Sequence, residues 1–92
     1  MSNDNLWETN ALSRWNKFSG SRPLPDEAKA DGLKFIKELM ADPFGIPAKR
    51  DHHGEFYAVV HQGDMWRIGV GFTINTEHRQ IDVIGFELID EI

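Results

Sequence analysis

Trp66-Arg67-Ile68-Gly69-Val70-Gly71-Phe72-Thr73 alternates, residue by residue, between a bulky apolar side chain and a small or polar one. Successive side chains leave a strand on opposite sides, so a period of two marks a strand with one buried face. Trp66, Ile68, Val70 and Phe72 take the buried side; Arg67, Gly69, Gly71 and Thr73 take the other. Upstream, Phe56-Tyr57-Ala58-Val59-Val60-His61 has the composition of a second strand, joined through the turn Gln62-Gly63-Asp64. Downstream, past the turn Asn75-Thr76-Glu77-His78, residues 80–88 make a third strand, with Ile84, Phe86 and Leu88 expected on one face. Strands this close in sequence pair as an antiparallel meander.

Before residue 50 the period is helical. Trp7, Ala11, Trp15 and Phe18 recur as one turn of helix follows another, widened by Leu12, with Thr9 or Asn10 as the cap and Ser19-Gly20 as the stop. Residues 5–8 fit either a short leading strand or the first turn of that helix. After Ser21-Arg22-Pro23-Leu24, Pro25 followed by Asp26 and Glu27 opens a second helix, since proline suits its first turn and acids its positive end. Ala28, Gly32, Phe35, Ile36, Leu39 and Met40 mark its buried face, and Asp42-Pro43-Phe44-Gly45 ends it. The expected architecture is α+β: an N-terminal helical hairpin packed on an antiparallel sheet of three or four strands, in one domain spanning residues 1–92.

The 92 residues carry a net charge of -5, which argues against a broad nucleic-acid footprint and leaves only a local basic patch for any such role. The chain has no cysteine, so disulfides, thiolate metal sites and cysteine nucleophiles are excluded together. Its polar N-terminus lacks the basic and apolar regions of a signal peptide, and its apolar runs are far shorter than the roughly 20 residues of a membrane span. A cytoplasmic location is expected, with no membrane partner and no cofactor.

Three local stretches resemble the RelE/ParE toxin superfamily of type II toxin–antitoxin systems. Ala11-Leu12-Ser13-Arg14-Trp15-Asn16-Lys17-Phe18 is similar to the first-helix motif, an Ala-Leu pair followed by Trp, Lys and an apolar residue. Leu39-Met40-Ala41-Asp42-Pro43-Phe44-Gly45 resembles the end of the second helix. Gly63-Asp64-Met65-Trp66-Arg67-Ile68 resembles the turn that leads into the central strand. The resemblance implies a short first strand, a helical hairpin, and a sheet whose open face holds the active site. It also implies a cognate antitoxin, and as target either messenger RNA on the ribosome, cleaved without metal, or DNA gyrase.

Metal-free RNA cleavage needs a base for the ribose hydroxyl, cations for the added phosphate charge and an acid for the leaving oxygen. Of the cations the resemblance implies, only Arg67 is present. Ala58 and Val60 align with lysines of the preceding strand, and Glu87 stands where a basic residue is expected. A toxin-like protein acting mainly by binding, with weak or absent ribonuclease activity, is therefore the leading reading. The alternative is a non-catalytic protein- or nucleic-acid-binding module on the same scaffold. A third is an active, metal-free, ribosome-dependent endoribonuclease in which His61 or His53 replaces the missing groups.

The candidate catalytic residues are thus Arg67, His61 and His53, and the candidate binding residues Lys49, Arg50, Arg67, Gly69, Gly71 and Glu87. Each has an ordinary alternative. Arg67 can serve a cross-strand ion pair with Glu87 or Asp82. His61 is expected on the face of Tyr57 and Val59, beside Arg67, either as an acid–base group or as a satisfied strand histidine. His52 and His53, if extended, point apart and suit a solvated loop better than a metal. Lys49-Arg50 can extend a basic patch toward Arg67. Gly69 and Gly71 strip one face of bulk, admitting a close neighbour or marking a curved strand.

Overall fold

A computed structural model describes residues 6–89; residue 5 of the leading segment lies outside them. The elements run β1 (Glu8–Thr9), α1 (Ala11–Gly20), α2 (Asp26–Ala41), a 3-10 turn (Pro43–Gly45), β2 (Lys49–Arg50), β3 (Phe56–Gln62), β4 (Arg67–Asn75) and β5 (Gln80–Leu88). The three long strands form the expected antiparallel meander under the helical hairpin. Two short strands extend it to five in the order β1-β5-β4-β3-β2, with β1 parallel to β5 and the other pairs antiparallel. Among the described residues no helix is long and apolar enough to cross a membrane.

The leading segment resolves as strand, so Trp7 sits before β1 and not on the helical stripe. It still joins the core: its N–H donates to the Met40 carbonyl at 2.9 Å, and its ring meets Phe44 edge-on. Asn10 occupies the N-cap position of α1, but its side chain makes no cap hydrogen bond. It turns to β5 instead, donating through Nδ2 to the Val83 carbonyl at 3.1 Å and accepting the Val83 N–H at Oδ1 at 2.7 Å. The carboxamide copies a peptide group and so prolongs the β1–β5 ladder. The start of α1 is served by Thr9, whose Oγ1 accepts the Ala11 N–H at 3.1 Å. Pro25 is extended and caps α2 from outside, with Asp26 and Glu27 in the first turn as the dipole favours.

One continuous core lies between the hairpin and the sheet. Trp15, Phe35, Ile36, Leu39, Ile68, Val70 and Phe72 are buried in it as expected, whereas Trp66 is only half-buried at its margin. Trp15 packs edge-on against Phe86 with ring centroids 5.0 Å apart, and Phe56 stacks on Phe72 at 5.5 Å. Gly32 lets the hairpin close, because the Trp15 indole lies where a Cβ would project from α2.

Two irregularities change the facing of side chains. The β3–β4 register shifts between Val59 and His61, and the β4–β5 register between Gly71 and Phe72, which pair with Gly85 and Val83. Val60 and Ile84 are the extra residues, and each bulge reverses the alternation beyond it. The shared buried face of β5 is therefore Ile81, Val83 and Phe86. Ile84, expected beside Phe86, is exposed on the other side, while Leu88 pairs with Ile68 on the side of Phe86 as expected and is exposed only as the end of the strand.

Candidate functional site

The helices cover one face of the sheet and leave the other open. Cross-strand partners share a face, so the open side can be followed rung by rung. Lys49, Tyr57, Gly71 and Gly85 form one row, Val59, Gly69 and Glu87 the next, and Gln62 with Arg67 a third; Thr73 and Asp82 close the opposite end. Lys49, Arg67, Gly69, Gly71 and Glu87 of the expected set therefore come together here.

Arg50 does not join them. It pairs with Phe56, a helix-side residue, and its guanidinium lies 5.4 Å from that ring. His61 also departs from expectation. The bulge at Val60 turns it toward α2, away from Tyr57 and Val59, and it is 5% exposed. Its Nδ1–H donates to Asp31 Oδ2 at 2.7 Å, and the Gly63 turn closes over its other nitrogen. The imidazole is thus a strap between α2 and β3, separated from the open side by the sheet. Ala58, aligned with a family lysine, likewise faces the helices; Tyr57 and Val59 are the open-side residues of β3.

His53 sits in an exposed turn between β2 and β3. Asp51 organises that turn, its Oδ1 accepting the N–H groups of His53 and Glu55, each at 2.9 Å, while Gly54 takes a positive φ of 88°. The turn brings the His52 and His53 rings within 4.0 Å, where an extended chain would have parted them. Among the described residues no group of three or more histidines and carboxylates converges as a metal site requires. Burial pulls the Asp51 carboxyl upward, but the Glu55 and His53 N–H donors, with the His53 charge, hold it below its usual value.

Sequence reasoning missed how full and how apolar the open face is. Tyr57 swings its ring over Gly71, with Cε1 3.3 Å from the position of a Cβ there, and Ile89 lies on Gly69. Ile84 reaches the same row from the bulge. Of the three glycines on this face, Gly85 alone has nothing within 4 Å of such a Cβ. The Tyr57 hydroxyl donates to Glu55 Oε1 at 2.6 Å with Asp51 Oδ2 at 3.4 Å, and the bond to Glu55 helps push the phenol up to about 12. Tyr57 is therefore neutral at physiological pH and unsuited to act as a base. The pairing of Tyr57 with Gly71 is a signal that period two could have supplied; Ile84 and Ile89 had none, because a bulge and a strand end set their direction.

Beside this face a cleft of about 780 Å³ runs along the outer edge of β3, between α2 and the sheet, bordered by Asp31, Lys34, Val59, Val60 and Arg67. It exists because β2 pairs only with Phe56 and Tyr57 and leaves the rest of that edge bare.

No protein-family model matches the chain, and neither does any curated protein. A chain of the toxin–antitoxin complex RelBE2 from Mycobacterium tuberculosis superposes with a TM-score of 0.58 at 17% identity, covering 91% of this chain and 99% of that one. The fold is RelE-like. On this RelE-like scaffold, the sequence resemblance and the three-dimensional likeness agree on the fold. Its cations there are Lys49 and Arg67, among Asp51, Glu55, Asp82 and Glu87.

Proposed function

We propose that this chain is a toxin-like protein of a type II toxin–antitoxin pair, acting on translation or gyrase mainly by binding, with weak or absent ribonuclease activity. The RelE-like fold supports the toxin role. The RelBE2 structure it resembles is that of a toxin–antitoxin complex, and a cognate antitoxin is the corresponding partner here. A cytoplasmic location goes with that role.

The observation that carries the binding mode is the composition of the open face. Each missing donor to a developing oxyanion costs about 10²–10³ in rate. Arg67 and Lys49 stand among four carboxylates, Glu87 takes a position suited to a cation, and His61 is engaged with Asp31 across the sheet. His61 lies on the helix side of the sheet and Arg67 on the open side, and Tyr57 holds its proton.

The test is induction of the wild type, Arg67→Ala and Glu87→Arg in a host lacking the neighbouring gene, scored by growth and by primer extension on ribosome-bound messages. Growth arrest without codon-positioned cleavage, relieved by Arg67→Ala, is expected. Rapid cleavage by the wild type overturns the binding mode. Absence of arrest in all three favours a binding module on the same scaffold. Co-purification with the product of an adjacent small gene checks the partner.

A further inference from the structure

The open face has an unusual combination of floor and rim. Its floor is glycine, at Gly69 and Gly71 of β4 and Gly85 of β5, and its walls are the exposed side chains of Tyr57 (45%), Val59 (47%) and Ile84 (51%). One aliphatic side chain, Ile89, already sits in this trough on Gly69, tethered by its N–H to the Arg67 carbonyl at 2.8 Å. The space over Gly85 is vacant. The rim is acidic in balance: Asp82 and Glu87 stand along β5, and Asp51 and Glu55 gather at the Tyr57 hydroxyl, against Lys49 and Arg67 on the same face. The helical hairpin has the opposite balance. Arg14, Lys17, Arg22, Lys29, Lys34 and Lys37 outnumber Asp26, Glu27, Asp31 and Glu38, so the two faces of the molecule differ in sign.

We infer that the open sheet face is a docking surface for an amphipathic helix with an apolar stripe flanked by Lys and Arg, carried by the protein partner. This deepens the antitoxin reading by giving that partner's contact segment its chemistry. A helix fits the face for a backbone reason. An extended segment laid on a sheet face would bury N–H and C=O groups without partners, because a sheet offers hydrogen bonds only at its edges, whereas a helix satisfies its own. The glycine floor lets a helix approach closely, and its apolar side chains extend the row begun by Ile89. Asp82 and Glu87, five residues apart with a bulge between them, are about 13–16 Å apart at about 3.3 Å per strand residue. A helix lying along β5 meets both with basic residues about ten positions apart. Acidic flanks, or the phosphates of a nucleic acid, would meet four carboxylates instead.

Two synthetic helices of about 18 residues test this, identical in their Leu stripe and flanked by Lys in one and by Glu in the other, together with a short single-stranded RNA. Each is titrated into the uniformly 15N-labelled full chain. The Lys-flanked helix should shift the amides of Tyr57, Gly71, Gly85 and Glu87, bind at least about tenfold more tightly than the Glu-flanked one, and weaken as salt rises. The D82K/E87K double variant should reverse the preference, and Gly85→Leu, which fills vacant space, should abolish binding while the spectrum stays dispersed. The inference is overturned by equal or tighter binding of the Glu-flanked helix or the RNA, by shifts confined to α1 and α2, by no binding at all, or by a dimer formed through this face in sedimentation. Growth arrest reports separately on the toxin reading: helix binding without arrest removes that reading and leaves the surface standing.

Discussion

Ile89 lies on Gly69. A Cβ built on the glycine would stand 2.5 Å from Ile89 Cδ1, so the last described residue of the chain folds onto the open face of the sheet. The contact depends on a missing side chain in β4, and it makes a glycine that weakens a strand useful for closing a surface.

Three glycines therefore rank differently on substitution by alanine. Gly32→Ala drives a methyl into the buried Trp15 indole and should destabilise by about 1–3 kcal/mol, more than the helix preference for alanine returns. Gly69→Ala meets the flexible tip of Ile89 and should displace it at small cost. Gly85→Ala enters vacant space and should be neutral or stabilising by up to about 1 kcal/mol. Urea unfolding of the three variants gives the order directly.

The Asn10 bridge to Val83 joins two residues 73 positions apart. Asn10→Ala leaves a backbone N–H and C=O of β5 without their partner and should cost about 1–3 kcal/mol. Faster amide exchange at Val83 should accompany the loss, and unchanged exchange would mean that water replaces the carboxamide.

Tyr57 is the only tyrosine in the chain, so its titration can be read by phenolate absorbance alone. Its midpoint should lie near 12 and fall toward 10 in Glu55→Gln. A folded-state value raised above the unfolded one means that the protonated phenol favours the fold. The associated stability is fully present below pH 10 and fades as pH rises through 12. A midpoint at 10 in the wild type would show the Glu55 hydrogen bond absent in solution.

His61 and Asp31 should be energetically coupled. The imidazole is buried while the carboxylate is 47% exposed, so solvent weakens the pair and the coupling should be about 1 kcal/mol. A double-mutant cycle of His61→Ala and Asp31→Ala measures it. Additive effects would mean that the two side chains meet without holding α2 to β3.

The sequence by itself determined the two helices, the three long strands and most of their buried stripes, but not the short strands β1 and β2. Trp15, Phe35, Leu39, Ile68 and Phe72 were legible because a helix and a strand each repeat with a fixed period, and a buried face must be apolar over that period. It also located the sparse cations, Lys49 and Arg67, and the carboxylate of Glu87, which are visible without coordinates. Only the tertiary structure decided which way His61, Ala58 and Ile84 point. One extra residue in a strand reverses every side chain beyond it, and whether a strand bulges at Val60 or Ile84 depends on what the neighbouring strand and the helices above can accept. For the same reason the tertiary structure alone carried His61 to Asp31 and brought Ile89 onto Gly69: each is a contact between segments far apart in the chain or turned by a strand end, and no local period encodes it.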